Sequence, residues 1–126
     1  MATWTNDELS KVAGADELEV TSVRGDGSPS SGRTIWVVQV GDDLYVRSVN
    51  GTDGAWYRGT QVRHQGHVEV GGVSRDVTFT DIGHDMDAQV DAAYRDKYRR
   101  YAANIIDSII TQQAAATTMR LDPIPA

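Results

Sequence analysis

The apolar and polar positions in the first two-thirds of the chain follow the two-residue period of β-strands. Short stretches in which apolar residues alternate with polar ones, or run together, are separated by residues typical of turns. Five strands are predicted, at residues 18–23, 34–40, 44–49, 67–70 and 73–79. The last two form a hairpin, because Gly71 and Gly72 can adopt the positive φ angles that a two-residue hairpin turn requires.

Helices are predicted on both sides of this strand region. Thr5 and Glu8 have the spacing of a capping box, in which each side chain bonds the other residue's backbone N–H, so a short helix follows Thr5 and ends near Gly14. From Asp85 onward, apolar residues recur every three or four positions, which predicts one long amphipathic helix capped by Asp85. Its apolar stripe consists of Met86, Val90, Tyr94, Tyr98, Tyr101, Ile105 and Ile109.

The polar side of this long helix carries charges of both signs. Asp91 precedes Arg95 by four residues, and Asp96 precedes Arg100 by the same interval. Side chains at this spacing are neighbours on a helix surface. We therefore expect two ion pairs on the exposed face of the helix, with the tyrosines of the stripe in the core.

The order of these elements predicts the fold class. Strands come first and a long helix follows them, which is typical of an α+β domain with an antiparallel sheet. Segment 54–63 suits either a turn or a short helix, and no long crossover helix separates the strands, so a parallel sheet is not expected. A small sheet loses its exposed edges when it curls into a barrel. We expect a single domain over residues 1–126, a small antiparallel barrel with a short N-terminal helix and a long C-terminal helix.

The composition limits the classes of function. The chain has no cysteine, which excludes disulfides, thiolate metal sites and a cysteine nucleophile. Its net charge of −6 disfavours a nucleic-acid partner, because tracking a phosphate backbone requires a basic surface. No apolar run approaches the roughly 20 residues of a membrane helix, and the N-terminus lacks the pattern of a signal peptide. We therefore expect a cytoplasmic protein that binds neither nucleic acid nor membranes.

Three short patterns come close to catalytic or metal-binding motifs. Residues 27–34 resemble a phosphate-binding P-loop, but a strand is predicted after Thr34 where that motif requires a helix, so a flexible loop is the better interpretation. His64 and His67 lack a third ligand nearby, so no metal site is expected. A Ser–His–Asp hydrolase of the usual kind has a Gly-x-Ser-x-Gly elbow, which this sequence lacks. A Ser–His–Asp triad formed by residues from distant segments remains an alternative, although no sequence pattern indicates one.

The strongest candidate for a binding site is the end of the predicted strand 44–49 and the turn after it. Arg47 or Ser48, together with backbone N–H groups near Gly51, could hold an anionic phosphate. An ordinary sheet with a surface arginine and core tryptophans is the alternative interpretation of the same residues. Flat walls for an aromatic ring are offered by Trp36, Trp56 and Tyr57.

The chain resembles a bacterial family of small proteins of unknown function. The resemblance extends over nearly the whole chain and lies in short segments that are distinctive in combination. The family implies little about activity. The segments are Trp4 with Asp7-Glu8-Leu9, residues 15–18, 34–38 and 45–48, Trp56, the pattern Asp91-x-x-Tyr94-Arg95-x-Lys97-Tyr98, and residues 117–123.

The central region is similar, more weakly, to the flavin-binding split β-barrels, which include pyridoxamine-phosphate oxidases and deazaflavin-dependent nitroreductases. Residues 32–34 match the glycine-rich entry to the hairpin in the nitroreductases. Ser48 and Gly51 match the turn, and Trp56 matches a tryptophan on the next helix. Arg58 stands where those enzymes have an asparagine, and the proline that usually precedes their tryptophan is missing.

This resemblance implies a split barrel of six strands, often a homodimer, with a cofactor phosphate near Arg47 and Ser48. Flavin mononucleotide or a deazaflavin is the cofactor it suggests, and an oxidoreductase is the activity. A cofactor-free module that binds a small ligand, or that serves for dimerisation, fits the same barrel equally well, so the sequence leaves open whether the chain is an enzyme. The candidate site residues are Arg33, Arg47, Ser48, Gly51, Trp56, Tyr57 and Arg58.

Overall fold

The computed structural model describes residues 3–125, which form seven strands and five α-helices. The strands are β1 Glu17–Ser22, β2 Arg33–Trp36, β3 Val38–Val40, β4 Asp43–Val46, β5 Gln65–Val70, β6 Val73–Asp81 and β7 Met119–Pro123. The helices are α1 Asn6–Ala13, α2 Ala55–Arg63, α3 Asp87–Lys97, α4 Ala103–Ile109 and α5 Gln112–Ala115, and a 3₁₀ turn, Gly51–Asp53, precedes α2. The predicted α+β class is confirmed.

Local sequence signals place several elements correctly. The capping box at Thr5 and Glu8 is formed, with each side chain bonded to the other's backbone N–H at 3.1 and 2.9 Å. Gly71 and Gly72 join β5 to β6 at φ angles of 56° and 90°, so the predicted hairpin is confirmed. Segment 54–63, which suited either a turn or a short helix, forms α2.

The predicted strand 34–40 is interrupted at Val37, and this break shapes the barrel. The Val37 N–H donates to the Tyr98 hydroxyl at 3.2 Å, and the Val37 carbonyl accepts from Lys97 Nζ at 2.8 Å. The backbone of Val37 therefore bonds to side chains at the end of α3 instead of to a neighbouring strand. The two halves, β2 and β3, lie at opposite edges of one sheet.

All paired strands are antiparallel, in the order β2-β1-β5-β6-β7-β4-β3. Since both edges come from one stretch of chain, the sheet curls into a nearly closed barrel, which confirms the expected barrel in outline. The resemblance implied six strands, and the described residues form seven. One predicted strand is divided, and the C-terminal segment adds β7 between β4 and β6.

The prediction of one long C-terminal helix is wrong. The segment forms α3, α4 and α5, and then ends in β7, which pairs with both β4 and β6. Asp85 does not cap α3, whose N-cap is Met86. No glycine or proline stands between Tyr98 and Ala102, so tertiary contacts end the helix: Tyr98 and Tyr101 both pack on Trp36. No helix in the described part of the chain is long and apolar enough to cross a membrane.

Two apolar clusters hold the elements together. The inner faces of the strands fill the barrel with fully buried side chains, and Trp4 closes one part of it by donating its indole N–H to the Leu121 carbonyl at 2.8 Å. A second cluster lies between the outer face of β3 and β4 and the helices α3 and α4. Its buried members are Val38, Tyr45, Val90, Tyr94, Tyr98, Ile106 and Ile109.

Candidate functional site

A cavity of about 310 Å³ lies where β2, the end of β4, α2 and α4 meet. This volume falls at the lower end of the range for small-molecule sites in proteins. The wall is mainly apolar, with a small number of polar groups, which is the usual composition of such sites. The lining residues used below are Arg33, Trp36, Arg47, Ser48, Trp56 and Ile109.

Four of the seven predicted site residues line this cavity, namely Arg33, Arg47, Ser48 and Trp56. The other three do not line it. Gly51 is buried in the 3₁₀ turn at a φ of 61°, and a Cβ added there would lie 2.2 Å from Gln113 Cγ. Tyr57 packs against the barrel core. Arg58 is exposed on α2.

Arg47 is completely buried, and its guanidinium is the centre of a polar cluster beneath the cavity. Nε donates to Thr118 Oγ1 at 2.8 Å, and Nη1 donates to the Asp91 carboxylate and to the Ile109 carbonyl. Asp87 Oδ1 lies 3.7 Å from Nη2. Two carboxylates therefore face one buried cation, and they balance its charge without any added anion.

The two ion pairs predicted on the exposed face of the C-terminal helix are wrong. Asp91 pairs with Arg47 instead of Arg95, because α3 packs that side chain against the end of β4. Asp96 pairs with Arg99, and Arg100 pairs with Asp16 near the start of β1. Helical spacing alone does not show which face of α3 meets the barrel.

Some buried polar atoms of this region have no hydrogen-bond partner among residues 3–125. Two of them, Arg47 Nη2 and Asp87 Oδ1, lie 3.7 Å from each other, whereas Ser48 Oγ belongs to a residue that lines the cavity and has no such neighbour in the described residues. A buried polar atom without a partner costs about 1–3 kcal/mol, so such positions are usually filled by a water molecule or a ligand group. Gly54 leaves room for the Ser48 hydroxyl, since a Cβ there would lie 2.3 Å from Oγ.

The Trp36 side of the cavity is held by a stack of aromatic rings. The Trp36 and Tyr98 rings lie 3.8 Å apart between centroids and are nearly parallel. Tyr98 is anchored in turn, because its hydroxyl donates to the Asp16 carbonyl at 2.5 Å. Burial raises the pKa of Tyr98 and of the neighbouring Tyr94, so both phenols stay neutral at ordinary pH. This wall is therefore rigid and uncharged.

Arg33 differs from Arg47 in its surroundings. It begins β2, opposite Val20 of β1, and its side chain is exposed. No carboxylate lies within 4 Å of its guanidinium in the region that the structure describes. Arg47, beneath the cavity, therefore has carboxylate partners, whereas Arg33, at the edge of the cavity, has none in the described residues.

Several residues of the site were not predicted from the sequence. Ile109 was assigned only to an apolar stripe, while Thr117 and Thr118 had no assigned role. Thr117 Oγ1 accepts from the Ser48 N–H at 2.8 Å, and Thr118 bonds Arg47. One signal could have found them: Arg47, Asp91, Thr117 and Thr118 all lie in segments that carry the family resemblance, and in space they form one cluster.

Comparison with known proteins supports this resemblance. The model of a family described as an uncharacterized protein conserved in bacteria (DUF2255) matches residues 8–121. The chain belongs to this family. A comparison with curated protein sequences gives no significant match. The family assignment therefore establishes a shared sequence pattern, and it does not indicate an activity.

Solved structures of other proteins have the same fold. The heme storage protein HutZ from Vibrio cholerae matches with a TM-score of 0.64 at 15% identity, over 96% of this chain and 91% of that one. An F420 reductase matches with a TM-score of 0.60 at 17% identity, over 92% of each chain. A FAD-binding protein from Mesorhizobium loti matches with a TM-score of 0.58 at 17% identity, over 98% and 93%. These matches confirm the barrel fold that the resemblance implied.

Proposed function

We propose that the chain binds a flavin or deazaflavin, a flat aromatic ring with an anionic tail, in the cavity between Trp36 and Trp56. The observation that carries this proposal is the buried, unpartnered hydroxyl of Ser48, a residue that lines the cavity together with Trp36 and Trp56. Aromatic walls favour a flat ring, and the unpartnered Ser48 hydroxyl can form a hydrogen bond with the polar edge of that ring. The fold that the chain shares with an F420 reductase and a FAD-binding protein supports the same ligand class.

The charges favour Arg33 over Arg47 as the partner of the anionic tail. A phosphate beside Arg47 would also approach Asp87 and Asp91, and the repulsion from two carboxylates would cancel most of its attraction. Arg33 has no such neighbours and lies at the open edge of the cavity. The role proposed for Arg47 is to hold the end of β4, which carries Ser48, against α3, and the role proposed for Arg33 is to hold the phosphate.

A bound flavin or deazaflavin would supply hydride transfer, while the chain supplies position and electrostatics. Trp36, fixed by its stack on Tyr98, gives the ring a wall that does not move. The backbone N–H of Ser48 donates to Thr117, which fixes the backbone there. The Ser48 hydroxyl can therefore donate to a ligand or accept from it at a fixed position. Gly51, Tyr57 and Arg58 would support the turn and the helix and would not touch the ligand.

Haem fits this cavity less well. An iron porphyrin is usually held by a histidine, cysteine, methionine or tyrosine side chain on the metal. None of these residue types lines the cavity. The similarity to HutZ therefore supports the barrel, while the lining favours an organic ring over a metal-centred one.

We also propose that two copies associate beside this cavity. Val49 and Ile105 both line it, and they are 52% and 45% exposed, which is high for large apolar side chains at one place. A second chain would remove this apolar surface from water. The proposal predicts a dimer in analytical ultracentrifugation and a monomer, or a weaker dimer, for Ile105→Glu.

The direct test of ligand class is the absorbance and mass spectrum of the purified protein, followed by addition of flavin mononucleotide, coenzyme F420 or haem. Copurified flavin, or uptake of one of the first two with a shifted spectrum, supports the proposal. Colourless protein that takes up neither would contradict it and would favour a cofactor-free binding or dimerisation module. Uptake of haem alone would contradict the argument from the cavity lining.

A further inference from the structure

Three polar side chains on the outer face of the β5–β6 hairpin form a hydrogen-bonded chain. His67 Nδ1 lies 2.8 Å from Asp76 Oδ1, and His67 Nε2 lies 2.8 Å from Ser74 Oγ. His67 and Asp76 are direct partners across the two antiparallel strands, and Ser74 lies two residues before Asp76 on the same face. The pairing of β5 with β6 therefore brings these three side chains together, and no loop contributes to the arrangement.

The chemistry of the groups fixes the direction of the hydrogen bonds. An ionised carboxylate can only accept, so His67 Nδ1–H donates a hydrogen bond to the Asp76 oxygen. The other ring nitrogen of the neutral imidazole then carries a lone pair, which accepts from the Ser74 hydroxyl. This is the relation of nucleophile, base and orienting acid that defines an activated serine.

We propose that Ser74, His67 and Asp76 form a catalytic site for the hydrolysis of small esters, independent of the cavity between Trp36 and Trp56. Ser74 Oγ attacks the ester carbonyl while its proton passes to His67 Nε2. The bond to the alcohol breaks as His67 returns the proton to the leaving oxygen, which gives an acyl-serine and a free alcohol. Water then attacks the acyl group with His67 as base, which releases the acid and restores Ser74.

The surroundings of Ser74 indicate the class of ester. A second cavity, of about 490 Å³, is lined by Ser74 and by Glu17, Glu19 and Glu69. Glu69 Oε1 also lies 3.9 Å from His67 Nε2, where it stabilises the imidazolium that forms during the reaction. Three carboxylates at one cavity attract a positive charge, so the site favours esters that carry an ammonium group over esters that carry a carboxylate.

The expected rate is modest, because the site is open to water. The His67 side chain is 38% exposed and that of Asp76 is 74% exposed. General acid–base catalysis by a positioned side chain contributes about 10²- to 10⁴-fold, and we expect the lower end of that range for an activated ester.

The test measures nitrophenol release from p-nitrophenyl acetate and labelling of the full chain by a fluorophosphonate, with the labelled peptide identified by mass spectrometry. The expected results are a label on Ser74 and hydrolysis reduced about tenfold or more in Ser74→Ala and in His67→Gln. A cationic ester should react about tenfold faster than an anionic ester of the same alcohol at low salt, and the difference should shrink as salt is added.

The chain offers a matched control in Ser28. Its hydroxyl donates to Asp26 at 2.6 Å, so it has the serine and the acid without the histidine. Ser28→Ala should leave hydrolysis and labelling unchanged, and circular dichroism should show all variants folded. Hydrolysis by Ser74→Ala at the wild-type rate, or a label spread over several serines including Ser28, would overturn the proposal. Asp76→Asn, which disturbs the tautomer of His67, should lower labelling of Ser74 although the serine is present.

Discussion

Arg47, at the end of β4, forms a buried ion pair with Asp91, in the middle of α3. The pair joins the barrel to the helical layer that covers β3 and β4, and it lies beneath the cavity that Ser48 lines. The arginine side chain is fully buried, while the aspartate is 24% exposed. Arg47 is therefore part of the support of the cavity, and its charge is already balanced.

Removal of the Asp91 charge should destabilise the fold. Asp91→Asn leaves a buried guanidinium with only the more distant Asp87 carboxylate, and breaking a buried pair in this way costs about 3–5 kcal/mol. Chemical denaturation measures the loss. Asp96→Asn is the control, because its pair with Arg99 is almost fully exposed, and it should change stability by less than about 1 kcal/mol. Equal effects of the two substitutions would show that the Arg47 pair carries no special stability.

Gly54 and Ser48 should be energetically coupled. Gly54→Ala places a methyl group 2.3 Å from Ser48 Oγ, and such overpacking costs about 1–3 kcal/mol. Ser48→Ala removes an unpartnered hydroxyl and should leave stability unchanged or increase it. In a double-mutant cycle, the two changes together should cost less than their sum by at least about 0.5 kcal/mol. Strict additivity would mean that the hydroxyl does not occupy this position.

Lys97 should make the stability of the fold depend on pH. Burial lowers the pKa of its amine to about 8, and two backbone carbonyls accept from it. Between this value and the ordinary lysine pKa, the unfolded chain binds more protons than the folded one, so stability from this group rises with pH. Above about pH 10, the raised pKa values of Tyr94 and Tyr98 act in the opposite direction, because the folded state then keeps protons that the unfolded chain loses.

The measurement for Lys97 compares urea denaturation of the wild type and of Lys97→Met at about pH 7 and about pH 9.5. At the higher pH, the free energy of unfolding of the wild type should increase relative to that of Lys97→Met. Solvent screening of the partly exposed amine reduces the size of this increase. Lys11→Met, at an exposed lysine on α1, should show no such relative change. A constant difference between wild type and Lys97→Met would contradict the lowered pKa.

Short-range signals in the sequence were sufficient for part of this fold. The capping box at Thr5, the Gly71-Gly72 turn and the apolar run of β4 depend on neighbouring residues, so they could be predicted. The break at Val37 could not, because the groups that bond its backbone belong to residues about 60 positions away. Strand β7 was not predicted, although Met119 and Leu121 alternate with polar residues, because its place depends on pairing with the distant strands β4 and β6.

The candidate site shows the same division. Arg33, Arg47, Ser48 and Trp56 were found because they lie on or close to the predicted strands 34–40 and 44–49, while the helical wall with Ile109 depends on where the long helix is divided. The balance of Arg47 by Asp91 depends on the packing of α3. The Ser74–His67–Asp76 chain follows from the register of β5 against β6, and spacing along the chain gives no register.

The most direct test of the central claim is an equilibrium titration of the wild type, Arg33→Ala and Arg58→Ala with flavin mononucleotide, followed by flavin fluorescence. Arg33 lines the cavity and Arg58 lies exposed on α2 outside it, so the two variants remove the same charge at two places. The account predicts that Arg33→Ala weakens binding about tenfold or more, as expected for a charge-assisted contact, while Arg58→Ala stays within about twofold of the wild type. Equal weakening by both variants, or no binding by the wild type, would contradict it.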